Sequence, residues 1–285
     1  MDMTPNAPPA APRSDPPRLL PQPTRAARLW RAWQGVAIPA ITLVALVLIW
    51  EAAVRIFSIP AFLLPSPSRV IAELDKLGVR LLPNIGATLL TVLAGFVASV
   101  LVSLPMAVAI ASSPLIARAV YPLLLITQST PIIAIAPILV VVLGTGQLSR
   151  ATITFLIAFF PLLVSMVTGL LSTPREAVEL SRVLRTSFMQ DLWLIRLPAS
   201  VPFVFSGLKV AISLSVIGAV VAEFVTANQG LGYLITQSTA FFNVPLAFGS
   251  VILLAIMGVL LFQVIVLIER TFFPWAAQAE RITRE

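Results

Sequence analysis

The stretch TPREAVELSRVLRTSFMQDLWLIRLPASVP, Thr173 to Pro202, is a charged island between two long apolar runs. Thr173 with Glu176 three residues on matches a T-x-x-E capping box with Pro174 at the first helical position, and so predicts a helix start. Ser187 with Gln190 predicts a second start, and Leu197-Pro198 is expected to close the segment because proline restricts the residue before it. The stretch therefore reads as two short helices. On the first, Arg175, Glu176, Glu179, Arg182 and Arg185 can pair three or four apart around Val178, Leu180, Val183 and Leu184, and this charge keeps the helix out of lipid. On the second, Phe188, Met189, Leu192, Trp193 and Ile195 form an apolar stripe that fits either a groove on a partner protein or the bilayer surface. Periodicity does not choose between the two.

These residues resemble the EAA loop of the permease subunits of bacterial ABC importers. That pattern is Glu-Ala-Ala, three residues, Gly, nine residues, Ile, one residue, Leu-Pro. Here Glu179-Leu180-Ser181 stands in the first position, Arg185 in the glycine position, and Ile195, Leu197 and Pro198 at the end. Glycine there ends the first helix in a left-handed conformation that arginine adopts poorly, so the turn is expected to be shifted or looser than the family norm. The resemblance implies that Glu179, Arg182, Arg185, Leu197 and Pro198 belong to a surface that couples the chain to a separate ATPase. Phe188, Met189, Leu192 and Trp193 would form its hydrophobic contact.

Composition sets the environment. The chain has 285 residues, 58% hydrophobic and 11% charged, with a mean hydropathy of +0.99, more apolar surface than one soluble core needs. With no cysteine and no histidine, disulfides, thiolate or imidazole metal sites and Ser-His or Cys-His triads are excluded. No catalytic or metal-binding residues are expected. The net charge of +7 does not point to nucleic acid, because the arginines lie in tails and loops beside apolar runs, where membrane topology explains them.

Residues 1–35 are rich in proline and arginine and read as a disordered tail rather than a cleaved signal peptide, since no small-x-small site follows the first apolar run. Spans are expected at about 36–57, 84–112, 119–143, 151–171, 199–225 and 245–268, making an all-α membrane protein of about six transmembrane helices within residues 36–270, followed by a C-terminal tail, 271–285. Between the first two, Val70, Ile71, Leu74 and Leu77 mark one face of a short surface helix. Pro122, Pro131 and Pro137 interrupt the third span, and Gln128, Ser129 and Thr130 beside them either line a solute path or bond a neighbouring helix. Lys209 either meets an anionic solute or pairs structurally, and Glu223 either serves the path or sits in the headgroup layer. Residues 226–243 read as a glycine-punctuated loop carrying ANQGLGYL. The segment PIIAIAPILVVVL and this loop, which follows Val221-Ala222-Glu223-Phe224, also resemble the permease family, and the turn Leu64-Pro65-Ser66-Pro67 resembles its nitrate, sulfonate and taurine branch. VLRTS and SLSVIGAVVAEFV lean toward a subgroup for pyrimidine or other heteroaromatic vitamin precursors.

With both ends inside, the tail arginines, Arg118, Arg175, Arg182, Arg185, Arg196, Arg270, Arg281 and Arg284 fall in the cytoplasm, while only Arg55, Arg69, Lys76, Arg80 and Arg150 fall outside. This satisfies the positive-inside rule. No G-x-x-x-x-G-K-[ST] loop is present, so the chain does not itself cradle ATP. The resemblance implies a type I importer permease fold in the bacterial inner membrane, needing no cofactor of its own. Its partners would be an ATP-binding cassette subunit that binds the ATP, a periplasmic or lipid-anchored solute-binding protein, a second permease subunit forming a homodimer, and membrane lipid. The alternative is an ATP-independent carrier or a membrane scaffold.

Overall fold

The computed structural model describes residues 25–129, 131–226 and 228–275, which form two units divided between residues 52 and 53. The tail's residues 1–24 and the C-terminal residues 276–285 lie outside this description. Helix α1 (Arg25–Ile56) begins inside the stretch read as tail and runs through Pro39. Its portion Ala37–Ile56 is long and apolar enough to cross a membrane.

Helices are the only regular elements of the second unit among its described residues. It comprises α2 (Pro67–Leu77), a 3-10 turn (Gly78–Arg80), α3 (Leu81–Ser112), α4 (Pro114–Ser129), α5 (Ile132–Leu143) and α6 (Gln147–Leu171). Then follow α7 (Arg175–Val183), α8 (Phe188–Asp191), a π turn (Leu192–Arg196), α9 (Leu197–Thr226), α10 (Leu231–Ala240) and α11 (Val244–Phe272). Helix α6 is the hub, packed against α3 on one side and α9 on the other. Leu162, Leu163, Met166, Val167 and Leu170 of α6 form the centre of a core completed by Ala107 and Ile110 of α3 and Ala211 of α9.

Small and hydroxyl residues bring these backbones together, because lipid supplies no hydrophobic drive for helices to associate. Ser99 donates to the Phe155 carbonyl at 3.1 Å and Ser103 to the Phe159 carbonyl at 3.3 Å, so α3 and α6 run parallel. Helix α9 runs antiparallel to α6, with Gly207 so close to Ser165 that a side chain there would lie 2.6 Å from its Cβ.

Among the described residues, five helices are long and apolar enough to span: α1, α3, α6, α9 and α11. The expected third span is not one helix. It breaks between α4, 16 residues, and α5, 12 residues, and each is shorter than the roughly 20 residues a crossing needs. The cause is Pro131, which is the extended N-cap of α5 (φ −69°, ψ 95°) and can donate no hydrogen bond. Since α3 and α6 point the same way, α4 and α5 together must return the chain.

Two further expectations change. Val70 of α2 is buried and Leu74 packs on Gly249 of α11, but Ile71 is exposed. The segment 226–243 is largely helix α10, packed against α11 and α9, rather than loop. Gly230 begins it at φ 127°, a turn that sends the chain back onto the bundle.

Candidate functional site

The elbow, α7 through the π turn, joins the C-terminus of α6 to the N-terminus of α9. Its first helix ends in a complete Schellman motif. Thr186 N–H donates to the Ser181 carbonyl at 3.2 Å, Arg185 N–H to the Arg182 carbonyl at 3.1 Å, and Arg185 itself adopts φ 50°. The expected shift of this turn is therefore not found: arginine takes the left-handed position that glycine fills in the family pattern. The motif's hydrogen bonds, with a 2.7 Å contact between the Ser181 and Thr186 hydroxyls, offset a conformational cost of ~1–2 kcal/mol. Arg185→Gly is expected to raise the thermal unfolding midpoint of the purified protein by removing that strain, a gain of up to ~1 kcal/mol after the added chain entropy. A lowered midpoint would show that the arginine side chain contributes more than the strain costs.

The two predicted starts fare differently. Ser187 and Gln190 form a full capping box, with Ser187 N–H donating to Gln190 Oε1 at 2.8 Å and Gln190 N–H to Ser187 Oγ at 3.3 Å. Thr173 and Glu176 do not form theirs. Pro174 is the N-cap of α7 and offers no side-chain cap, while the Thr173 hydroxyl donates back to the Leu170 carbonyl at 3.2 Å, serving the buried last turn of α6.

Leu197-Pro198 does not close the segment either. Residues 188–226 form one continuous helical rod. In a regular α-helix the Pro198 ring would strike the Leu194 carbonyl and leave a carbonyl unpaired. The π turn immediately before it, with Leu197 N–H bonded to the Leu192 carbonyl, absorbs the mismatch. It also places residues five apart together, so that Arg196 Nε donates to Asp191 Oδ2 at 2.6 Å. Burial would raise the Asp191 carboxyl, but the Arg196 hydrogen bond, the nearby Ser181 hydroxyl and the charges of Arg196 and Arg182 outweigh it and hold the group below the usual aspartate range.

Glu179, Arg182 and Arg185 are exposed, and so are Phe188, Met189 and Trp193, the last 64% accessible. Leu192 faces the other way. It is only 6% exposed and packs in the core with α6, so it is not part of the elbow's outer apolar face. Leu197 is half-buried and Pro198 exposed.

Within the bundle, Lys209 of α9 is bonded to Glu269 of α11 at 2.8 Å, with side chains 12% and 2% exposed. Glu269 lies just beyond the limit of the sixth span expected from hydropathy, Ile268, whereas α11 continues to Phe272. The pairing signal was present: a lysine inside one apolar run requires a partner.

At the opposite end of α9, Glu223 is 2% exposed, its side chain enclosed by protein. Its Oε2 accepts from Gly232 N–H at 2.7 Å and from Thr88 Oγ1 at 3.1 Å, while Thr88 accepts from Leu231 N–H at 2.8 Å. Asn84 Oδ1 accepts from Gly230 N–H at 2.9 Å. The carboxylate thus caps α10, where the helix dipole favours negative charge. Arg150 of α6 acts on it electrostatically, and Gln147 donates to Thr91 at 3.1 Å beside it. Asn84, Thr88, Gln147 and Arg150 belong to this cluster but not to the sequence-based set, since only tertiary packing assembles them. Thr130 and the side chains of Gln128 and Ser129 lie outside the described residues. No group of acidic residues able to hold a metal ion occurs among the described residues.

The described residues thus form a bundle of long apolar helices with an exposed, structured elbow between two of them, the build of a multi-pass membrane protein. Residues 99–277 match the family model described as binding-protein-dependent transport system inner membrane component, and the chain belongs to that family. It is 33% identical over 86% of its length to the formylaminopyrimidine transport permease protein ThiX of Halalkalibacterium halodurans, covering 98% of that protein. It is 32% identical to the riboflavin transport system permease protein RibX of Chloroflexus aurantiacus, over 86% of this chain and 92% of that one. It is 24% identical to the taurine transport system permease protein TauC of Escherichia coli, over 88% and 94%. The chain is therefore the multi-pass inner-membrane permease of an ABC transporter, working with an ATPase subunit that binds the ATP and with a solute-binding protein.

Proposed function

We propose that this permease imports a small heteroaromatic, nitrogen-containing vitamin precursor, with its elbow as the ATPase docking surface. The observation that supports docking is continuity: the exposed apolar residues Phe188, Met189 and Trp193 stand at the head of a rod that runs unbroken to Thr226. Force applied there is transmitted along a helix of fixed hydrogen bonds instead of being lost in a hinge. Glu179, Arg182 and Arg185 supply a charged rim to that patch, and Leu197 and Pro198 set the angle at which the rod leaves it. Both termini are placed in the cytoplasm, which puts the arginine-rich elbow there too. A second copy of the chain completes the translocation path.

The solute class rests on similarity, since the relatives at 33% and 32% are named for formylaminopyrimidine and riboflavin, and the relative named for taurine is at 24%. A taurine-like anion is the other solute class. Trp193→Asp is expected to abolish co-purification of the ATPase while leaving the permease's own unfolding midpoint unchanged, because the side chain is exposed. Retained ATPase in that variant would remove the elbow from the docking surface. In proteoliposomes containing the full complex, formylaminopyrimidine and riboflavin are expected to raise ATP hydrolysis in the presence of the binding protein, with taurine as the control.

A further inference from the structure

The contact between α9 and α11 changes character along its length. At the elbow end, Phe205 and Phe273 meet with ring centroids 5.3 Å apart, and next to them lies the Lys209 to Glu269 bond at 2.8 Å. Beyond this bond the helices open around an apolar groove of ≈ 670 Å³, walled by Val216, Ile217 and Val220 of α9 and by Val251, Ala255 and Val259 of α11. The helices are antiparallel, so the bond sits between a closed end and an open end of one seam.

We infer that the Lys209–Glu269 pair is a fulcrum on which α9 turns against α11 when the elbow is moved, a role for these residues that rests on the docking reading above. Separating two opposite charges inside the bundle is strongly resisted, because neither can be rehydrated there. Rotation is not resisted in the same way. A lysine ammonium carries three donors around its axis, and Glu269 Oε1, buried and without a hydrogen bond among the described residues, lies beside the occupied Oε2 as a second acceptor. The pair can therefore hold its distance while α9 rolls. The rod carries the elbow on one side of the pair and Glu223 on the other, and the groove provides room for the far arm to swing. Lys209 and Glu269 are thus positioning residues for transport, acting through α9.

The chain has no cysteine, so Ile217→Cys with Val259→Cys gives two label sites across the groove, both exposed in the structure. Spin-label distances are measured in the purified complex with bound ATPase, with ADP and with trapped ATP. The wild-type background is expected to show a nucleotide-dependent shift, and Lys209→Arg, which retains the pair, to keep it. Lys209→Met with Glu269→Met removes both charges at similar volume, and is expected to fold and to bind the ATPase but to lose the shift. The same shift in that double variant, or no shift in the wild type while ATP is hydrolysed, overturns the fulcrum. Failure of the wild type to retain an ATPase overturns the docking reading instead.

Discussion

Lys209→Met alone is expected to destabilise the permease by ~3–5 kcal/mol, because it leaves Glu269 without its charged partner in a site where it is 2% exposed. The loss is read as a lowered unfolding midpoint in detergent and a reduced yield of monodisperse protein. Adding Glu269→Met is expected to recover most of it, since the cost lies in the unpaired charge and not in the missing side chain. A single variant as stable as the wild type would mean that water or another group reaches Glu269. The experiment matters beyond stability. Loss of uptake in Lys209→Met does not by itself make Lys209 a solute ligand, because the same substitution exposes the bundle to a buried charge; only the paired variant separates the two.

Gly230→Ala is expected to cost at least ~3 kcal/mol, from two additive sources. The residue has φ 127° and ψ 164°, a region essentially restricted to glycine, which carries ~1–3 kcal/mol of strain for any other residue. The new Cβ would also lie 2.5 Å from Glu223 Oε2 and Cδ. Moving that carboxylate breaks its bonds to Gly232 and Thr88, each worth ~1.5–3 kcal/mol as a hydrogen bond to a charged group. The backbone strain remains if Glu223 is also replaced by alanine, but the clash does not. The two changes together are therefore expected to cost less than the sum of the single variants, and a double-mutant cycle in thermal unfolding measures the difference. Strict additivity would show that the carboxylate and the glycine turn are independent.

Much of the architecture is local information. The apolar runs state their own length, and α3, α6, α9 and α11 begin and end within a few residues of the limits read from hydropathy. The capping box at Ser187 is a matter of residues three apart, and it formed. The box at Thr173 failed for an equally local reason that competed with it: the carbonyls at the end of α6 needed a donor, and the threonine hydroxyl met them. Proline gave mixed signals. Pro131 broke a span while Pro198 did not, because the neighbouring turn at Pro198 could widen to the π form and satisfy its backbone within the helix.

What the sequence alone determined was membrane residence, the approximate extent of α3, α6, α9 and α11, the position of the elbow, and the lack of a phosphate-cradling loop for ATP, since all of these follow from composition, run length and spacing along the chain; that the third apolar run breaks into two short helices did not follow from them. The tertiary structure alone decided that Lys209 meets Glu269, that Glu223 caps α10 with Thr88 and Asn84 around it, and that Leu192 turns into the core while Trp193 turns out. These are contacts between residues far apart in sequence or choices of helical face. Charges in a low-dielectric interior must find partners wherever packing brings them, and no periodicity along one helix specifies which neighbour that will be.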